Sequence, residues 1–200
     1  MESLESLTEA VSQRLFVELE ASGRHVHLTR DQAETLFGHG LTEKRPLSQP
    51  GQFLSQERVT IVGPEGSFRN AAVLGPERKE GQVEVSLTDC RHLGVTAPIR
   101  LSGDIEGTPG IRLEGPRGTV DLPKGLIAAR RHIHLTPEAA RQFKVRQGQV
   151  VRLQTYTQRP CIFEDVVIRI SPDFAPYVHL DIDEANACGF QPGDLGRILP

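Results

Sequence analysis

The stretch Gly23-Arg24-His25-Val26-His27-Leu28-Thr29 decides the fold, because the chain writes it twice. It returns 107 positions later as Arg130-Arg131-His132-Ile133-His134-Leu135-Thr136. A threonine closes each copy and can cap a short helix, through Phe37 in the first and, with Pro137 at the first helical position, through Phe143 in the second. A second correspondence runs at a spacing of 95: Phe68-Arg69-Asn70-Ala71-Ala72-Val73 answers to Phe163-Glu164-Asp165-Val166-Val167-Ile168, and 83–87 answers to 178–182. Each copy continues into a capped turn of helix (Thr88-Asp89 and Asp183-Glu184) that ends on a glycine, Gly94 and Gly189. The two spacings differ by twelve residues, so the first copy carries extra chain, assigned to the Pro- and Gln-rich segment from Lys44 to Gln56. Two copies give a pair of related domains, since a solenoid needs three or more repeats.

Nineteen glycines and fourteen prolines imply many turns and short strands. Strands are expected at 59–62, 68–74, 82–87, 111–114, 150–156 and 161–170. Alternation in Val83/Val85/Leu87 and in Val178/Leu180/Ile182 puts Glu84 and His179 on the opposite face from the apolar set. The expected fold is mainly β: two related small β-barrels from an internal duplication, each with short capping helices. The expected division is an extension at 1–16, a first barrel at 17–125 and a second at 126–200, with the strand before each histidine pair free to join the other barrel. With 38% hydrophobic and only 5% aromatic residues, the cores must be aliphatic.

The net charge of -3 gives no general pull toward nucleic acid or an anionic membrane. Three widely spaced cysteines without a CxxC pair argue against a disulfide framework and for a reducing interior. The acidic N-terminus has no apolar block, and no stretch approaches the roughly 20 apolar residues of a membrane span. A cytoplasmic protein is expected.

In extended chain, residues i and i+2 point the same way. His25 and His27 can therefore aim two imidazoles at one point, and so can His132 and His134. The repeat nominates a third ligand for each pair, because Glu84 and His179 hold equivalent positions. Two metal sites follow: His25, His27 and Glu84, and His132, His134 and His179. A lone His-x-His more often meets only water or a carboxylate; two copies with matched third ligands make the metal reading the stronger one. Nitrogen and oxygen donors without sulfur suit Zn²⁺ first. His39 and His92 have no partner at ligand spacing. Cys161 reads as core, and Cys90 and Cys188 as helix packing.

Arg78, six residues before Glu84, can fork a phosphate, or can be a solvated turn arginine. Ser102 can donate to an oxyanion or merely bond its turn. Arg130 and Arg131 read as anion contacts or exposed strand charges. There is no GxSxG, Walker loop or GxGxxG opening a helix. Metals plus an arginine point to metal-assisted chemistry at a phosphate or carbonyl centre, and the residues alone do not separate hydrolysis from transfer.

Several motifs carry a resemblance. Glu20–Thr29, Pro46–Phe53, Val73-Leu-Gly-Pro-Glu-Arg-Lys79, Val83–Asp89, Leu101-Ser-Gly-Asp104, Gly107-Thr-Pro-Gly110, Ala129–Pro137 and His179–Ala187 together resemble the PduL-type phosphotransacylases, from residue 18 to the C-terminus. The resemblance implies two β-barrels with a dimetal site between them. It implies reversible conversion of acyl-CoA (propanoyl- or acetyl-CoA) and phosphate to acyl phosphate and coenzyme A. It places the family's zinc ligands on the same six residues, its phosphate-binding arginine on Arg78 and its active-site serine on Ser102. Coenzyme A contacts fall on Ser22 and Asn186. Ala72 departs from the pattern, where relatives often carry a basic residue.

Leu4, Leu7, Val11 and Leu15 form one helical face of the extension. Family members that work inside bacterial microcompartments often carry such a helix as a shell-targeting peptide, so shell proteins join the expected partners and the microcompartment lumen the expected locations; the alternative is a helix packed on its own barrel. Homo-oligomers are compatible with the sequence. Two rival functions remain: a metal-dependent hydrolase of a thioester or phosphoester, and a non-enzymatic zinc-binding module. Structural zinc usually has four protein ligands, which counts against the latter.

Overall fold

Short aliphatic runs punctuated by glycine and proline fold as the composition requires. The structure, a computed structural model, describes residues 15–199; the expected helical stripe at Leu4, Leu7 and Val11 lies outside the described residues. In chain order the elements are β1 (Val17–Ser22), β2 (His25–His27), α1 (Arg30–Phe37), β3 (Glu43–Pro46), β4 (Phe53–Val62), β5 (Ser67–Gly75), β6 (Gln82–Val85), α2 (Leu87–Leu93), β7 (Ile99–Arg100), β8 (Ile111–Glu114), β9 (Thr119–Leu122), β10 (Leu126–Ala129), β11 (His132–Leu135), α3 (Pro137–Phe143), β12 (Val150–Tyr156), β13 (Ile162–Ile170), β14 (Tyr177–Asp181), α4 (Ile182–Cys188) and β15 (Leu195–Leu199). Among the described residues, no helix is long and apolar enough to cross a membrane.

The chain divides into two compact units. One holds the chain through Ala21, Arg131–Leu180 and Glu184 onward; the other holds Ser22–Arg130 and Asp181–Asp183. The first is a closed six-stranded barrel in the order β1-β14-β11-β13-β12-β15, so β1 precedes the first histidine pair yet belongs with the second. The other is a curled half-barrel sheet of nine strands, β7-β10-β6-β2-β5-β4-β8-β9 with β3 on β4. The six central strands of that sheet, β10 to β8, follow the same path as the six of the barrel. The barrel closes where Val17 pairs with Gly196 and Glu18 with Leu195. In the sheet the corresponding strands turn outward instead, β10 to β7 and β8 to β9. Each unit has its own aliphatic core, one around Val26, Leu28, Ile61, Val73 and Leu113, the other around Leu19, Ile133, Leu135, Leu153 and Ile168.

The duplication holds residue by residue. His25 sits opposite Glu84 and beside Ala72; 107 and 95 positions on, His132 sits opposite His179 and beside Val167. Both long hairpins carry a bulge at the same place, with Asn70 and Asp165 at φ 58. Asn and Asp tolerate this left-handed conformation better than other residues with a side chain. The twelve-residue difference now resolves into two parts. The twenty-two steps from Phe37 to Val59 answer to seven from Lys144 to Val151, and the six residues inside the Ile61–Phe68 hairpin answer to nine inside Leu153–Phe163. The first copy therefore gains fifteen residues, which include β3, and the second regains three.

Helix ends follow the threonines. Thr29 accepts from the Gln32 amide in a capping box, and Thr136 accepts from Ala139 with Pro137 in the first turn. At α2 the cap differs from expectation. Ser86, not Thr88, caps the helix, accepting from the Asp89 amide while Asp89 accepts from the Ser86 amide. The serine ends β6 at Val85, so Leu87 leaves the apolar strand face and is exposed.

Candidate metal centres

The first centre stands on β2 and its neighbour β6. The pleat of β2 aims His25 and His27 together, and the antiparallel register brings Glu84 against them. The three residues offer ligand atoms within 4.8 Å of one another, and all three are buried. His25 Nδ1 donates to the Gly23 carbonyl at 2.9 Å, and His27 Nδ1 to the Leu74 carbonyl at 3.3 Å. In the neutral rings that proton placement leaves each Nε2 lone pair available to a cation; the two Nε2 atoms lie 3.5 and 3.8 Å from Glu84 Oε1, and His25 when charged donates to that carboxylate.

The electrostatics of this centre favour a cation. Burial works to raise the Glu84 pKa, but the His25 charge and hydrogen bond, with His27 behind them, hold the carboxyl well below its usual range. His25 is raised: burial opposes its charge, and the Glu84 carboxylate outweighs burial. Burial, then the charges of His25 and Arg78, push His27 well below the ordinary imidazole value. The triad therefore combines an ionised buried carboxylate with a neutral imidazole, a donor set suited to a divalent ion.

The second centre repeats the design in β11 and β14 with His132, His134 and His179, again with ligand atoms within 4.8 Å. Both ring nitrogens of His134 are buried without a hydrogen-bond partner. Burial first, then His179, His132 and Arg169, push its pKa down to about 2, so the ring is neutral throughout the physiological range. Buried polar atoms are almost always satisfied, so a neutral orphan imidazole beside two others fits a metal. Phe174 stacks on the His134 ring at 3.8 Å between centroids. Glu20 Oε2 lies 3.4 Å from His179 Nδ1, which orients that ring's other nitrogen. The first triad thus includes its carboxylate, and the second has one beside a triad histidine.

Arg78 belongs beside the first centre. Its backbone amide donates to the Leu28 carbonyl at 2.8 Å, which stitches its loop to the end of the histidine strand. Phe53, from the segment special to the first copy, packs on the face of Gly75 where any Cβ would collide with the ring. Arg78 Nη1 donates to Ser102 Oγ at 3.1 Å, so the structure brings these two expected residues together. Ser22 Oγ lies 3.4 Å from His25 Nδ1. Asn186 is exposed on α4, and Ala72 is half-buried beside His25. His39 and His92 join neither triad among the described residues. Cys90 and Cys188 are buried, and Cys161 is half-buried at the rim of the barrel core.

Gln82 escaped the sequence reading. It is 2% exposed and donates from Nε2 to Glu84 Oε1 at 2.6 Å and to Ser102 Oγ at 2.9 Å. Its Oε1 accepts from the Gly103 amide at 2.8 Å. One amide thus fixes the Glu84 carboxylate and the serine loop together. The signal was available: Gln82 is two residues from Glu84 on one strand, and therefore on its face. Glu20 and Phe174 lie outside the repeat frame, and no pattern in the sequence marks them.

Known proteins resemble this chain over nearly its whole length. A protein of Listeria monocytogenes named phosphate propanoyltransferase is 53% identical over 204 residues, spanning 99% of this chain and 96% of its own length. One of Enterococcus faecalis with the same name is 52% identical over 207 residues, spanning 100% of this chain and 98% of its own. One of Salmonella typhimurium is 47% identical over 175 residues, or 86% of this chain and 83% of its own. The profile of the phosphate propanoyltransferase family matches residues 18–191, a span that takes in both histidine triads, Arg78 and Ser102. With the match covering nearly the whole chain, this protein belongs to the phosphate propanoyltransferase family.

Proposed function

We propose that the chain is a phosphate acyltransferase that moves a short acyl group between coenzyme A and inorganic phosphate, with one divalent metal, zinc first, in each histidine triad. The observation that carries the reading is the Arg78–Ser102 pair, joined at 3.1 Å beside a buried three-ligand cation site. Three protein ligands leave a coordination position for substrate. A guanidinium with a hydroxyl next to that position is the equipment for a phosphate.

When bound, the metals supply positive charge to phosphate oxygens and to the thioester carbonyl oxygen. The rest falls to the chain. Arg78 forks two phosphate oxygens and presents the third toward the acyl carbon, and Ser102, held by Gln82, fixes the orientation. A phosphate oxygen forms the new C–O bond as the C–S bond breaks. The proton of hydrogenphosphate ends on the coenzyme A thiol, which balances the exchange. No side-chain acyl intermediate is required. Because phosphate competes with solvent water, orientation by Arg78 and burial of the triad decide transfer over hydrolysis. Ser22 and Asn186 are the proposed coenzyme A contacts.

The test is thiol release from propanoyl-CoA and acetyl-CoA with and without phosphate. Phosphate-dependent release with acyl phosphate as product is expected. Release indifferent to phosphate makes the protein a hydrolase, and no release leaves a binding module.

We also assign the stripe Leu4, Leu7, Val11 and Leu15 to shell targeting. Deleting residues 2–14 is expected to leave transfer within about twofold of the intact enzyme, since neither triad lies there, and to abolish co-assembly with shell proteins. A fall in melting temperature with shell association unchanged would return this segment to the barrel surface.

A further inference from the structure

The residue before the first histidine of each pair is an arginine, Arg24 and Arg131, and its partners repeat with it. Arg24 grips Asp89 twice, Nη2 to Oδ1 at 2.7 Å and Nε to Oδ2 at 3.1 Å, and its guanidinium lies 4.0 Å over the centre of the Phe68 ring. Arg131 Nη1 donates to Glu184 Oε1 at 2.6 Å, its Nε donates to the Glu164 carbonyl at 2.7 Å, and it lies 5.6 Å over Phe163. Asp89 and Glu184 are counterparts at the spacing of 95, and so are Phe68 and Phe163.

Each arginine straps three adjacent strands. Asp89 opens the helix that directly follows β6, the strand of Glu84, and Phe68 stands on β5, the other neighbour of β2. Glu184 likewise stands in the helix after β14, the strand of His179, and Phe163 stands on β13 across β11. The histidine strands are only three and four residues long, so few ladder bonds hold them against sliding. A one-residue slip would turn the histidines to the opposite face. Asp89 is itself fixed by its exchange with Ser86 and is 3% exposed. The anchor is rigid, and only a planar fork both pairs with the carboxylate and stacks on the ring.

We infer that Arg24 and Arg131 are positioning residues, one for each metal centre, that lock the histidine strand in register with the strand bearing the third ligand. Each acts on its own centre alone. The inference rests on the reading that the triads hold metals.

Cobalt(II) titration of the metal-stripped full-length chain tests it through affinity and visible absorption. In a Glu84→Gln background, where the second centre remains, adding Arg131→Gln is expected to weaken binding roughly tenfold or more and alter the spectrum, whereas adding Arg24→Gln changes neither. In a His134→Ala background the two arginines exchange roles. Should a glutamine variant fail to fold, the lysine variant replaces it, and the same crossed pattern is required. Lower melting temperatures with affinity and spectrum unchanged at both centres would overturn the inference, as would equal weakening by either arginine. Intact protein that binds less than one cobalt would overturn the metal reading itself, a result visible before any arginine is changed.

Discussion

Glu84→Gln is expected to halve the metal content, from about two ions per chain to about one, and to lower turnover about a thousandfold. The change keeps the side chain's volume and leaves a carbonyl oxygen to accept from Gln82 Nε2, now at 2.6 Å from the carboxylate. It removes the charge and exchanges the other carboxylate oxygen for an amide NH2. That charge is the only negative one in the first triad, and without it nothing offsets burial and the Arg78 charge, which both oppose a cation at His25 and His27. A metal contributes several kcal/mol of charge stabilisation, which sets the scale of the loss. Elemental analysis with a progress curve checks both halves. Full metal content in Glu84→Gln would remove this residue from the ligand set, and full turnover with one metal would remove the first centre from the reaction. His134→Ala is the companion change in the second unit, and it leaves Glu84 and Arg78 undisturbed.

The grouping of the two triads was legible in the sequence because two independent regularities fix it. The pleat makes each His-x-His converge, and the duplication carries Glu84 onto His179. Pairing registers that place His25 against Glu84 and His132 against His179 are the structural form of the same two rules. The strands at 111–114 and 150–156 were legible from their turns and apolar runs, and both appear with those bounds. Other features were hidden for physical reasons. Leu87 continues the alternation of Val83 and Val85, and only the Ser86–Asp89 capping exchange shows that the strand has already ended. The bulges at Asn70 and Asp165 insert one residue without breaking the sequence correspondence, so alignment passes over them. Closure of one six-strand path and not the other depends on where β15 and β8 find partners, a long-range matter that no local pattern records. The arginine straps were visible as repeated letters, yet a basic residue beside a ligand reads equally well as an anion contact. Their carboxylate partners, 65 and 53 residues away in sequence, decide the matter.

Arg78→Ala is expected to lower kcat/KM for phosphate by about 10²–10³, or roughly 2.7–4 kcal/mol, while both metals stay bound. The guanidinium stands beside the first triad, where its charge helps push the His27 pKa down and opposes the rise at His25, but it is not one of the three candidate ligands. Its loss frees Ser102, which keeps its bond from Gln82 Nε2 at 2.9 Å, so the loop is not left without support. The damage should therefore fall on phosphate. The Michaelis constant for phosphate should rise or turnover should fall, with the constant for acyl-CoA changing little. Arg78→Lys separates charge from geometry. Lysine restores the positive charge as a point and cannot present two parallel donors, so partial recovery of phosphate affinity without recovery of turnover identifies the fork as the working feature. A further expectation concerns water. With phosphate no longer held in line, any residual thiol release should shift toward free carboxylate and away from acyl phosphate. Unchanged phosphate kinetics in Arg78→Ala, with normal product, would reduce this arginine to a loop residue bonded to a serine. The phosphate site would then have to be sought among the remaining groups around Glu84, with Ser102 and Gln82 the first to be changed.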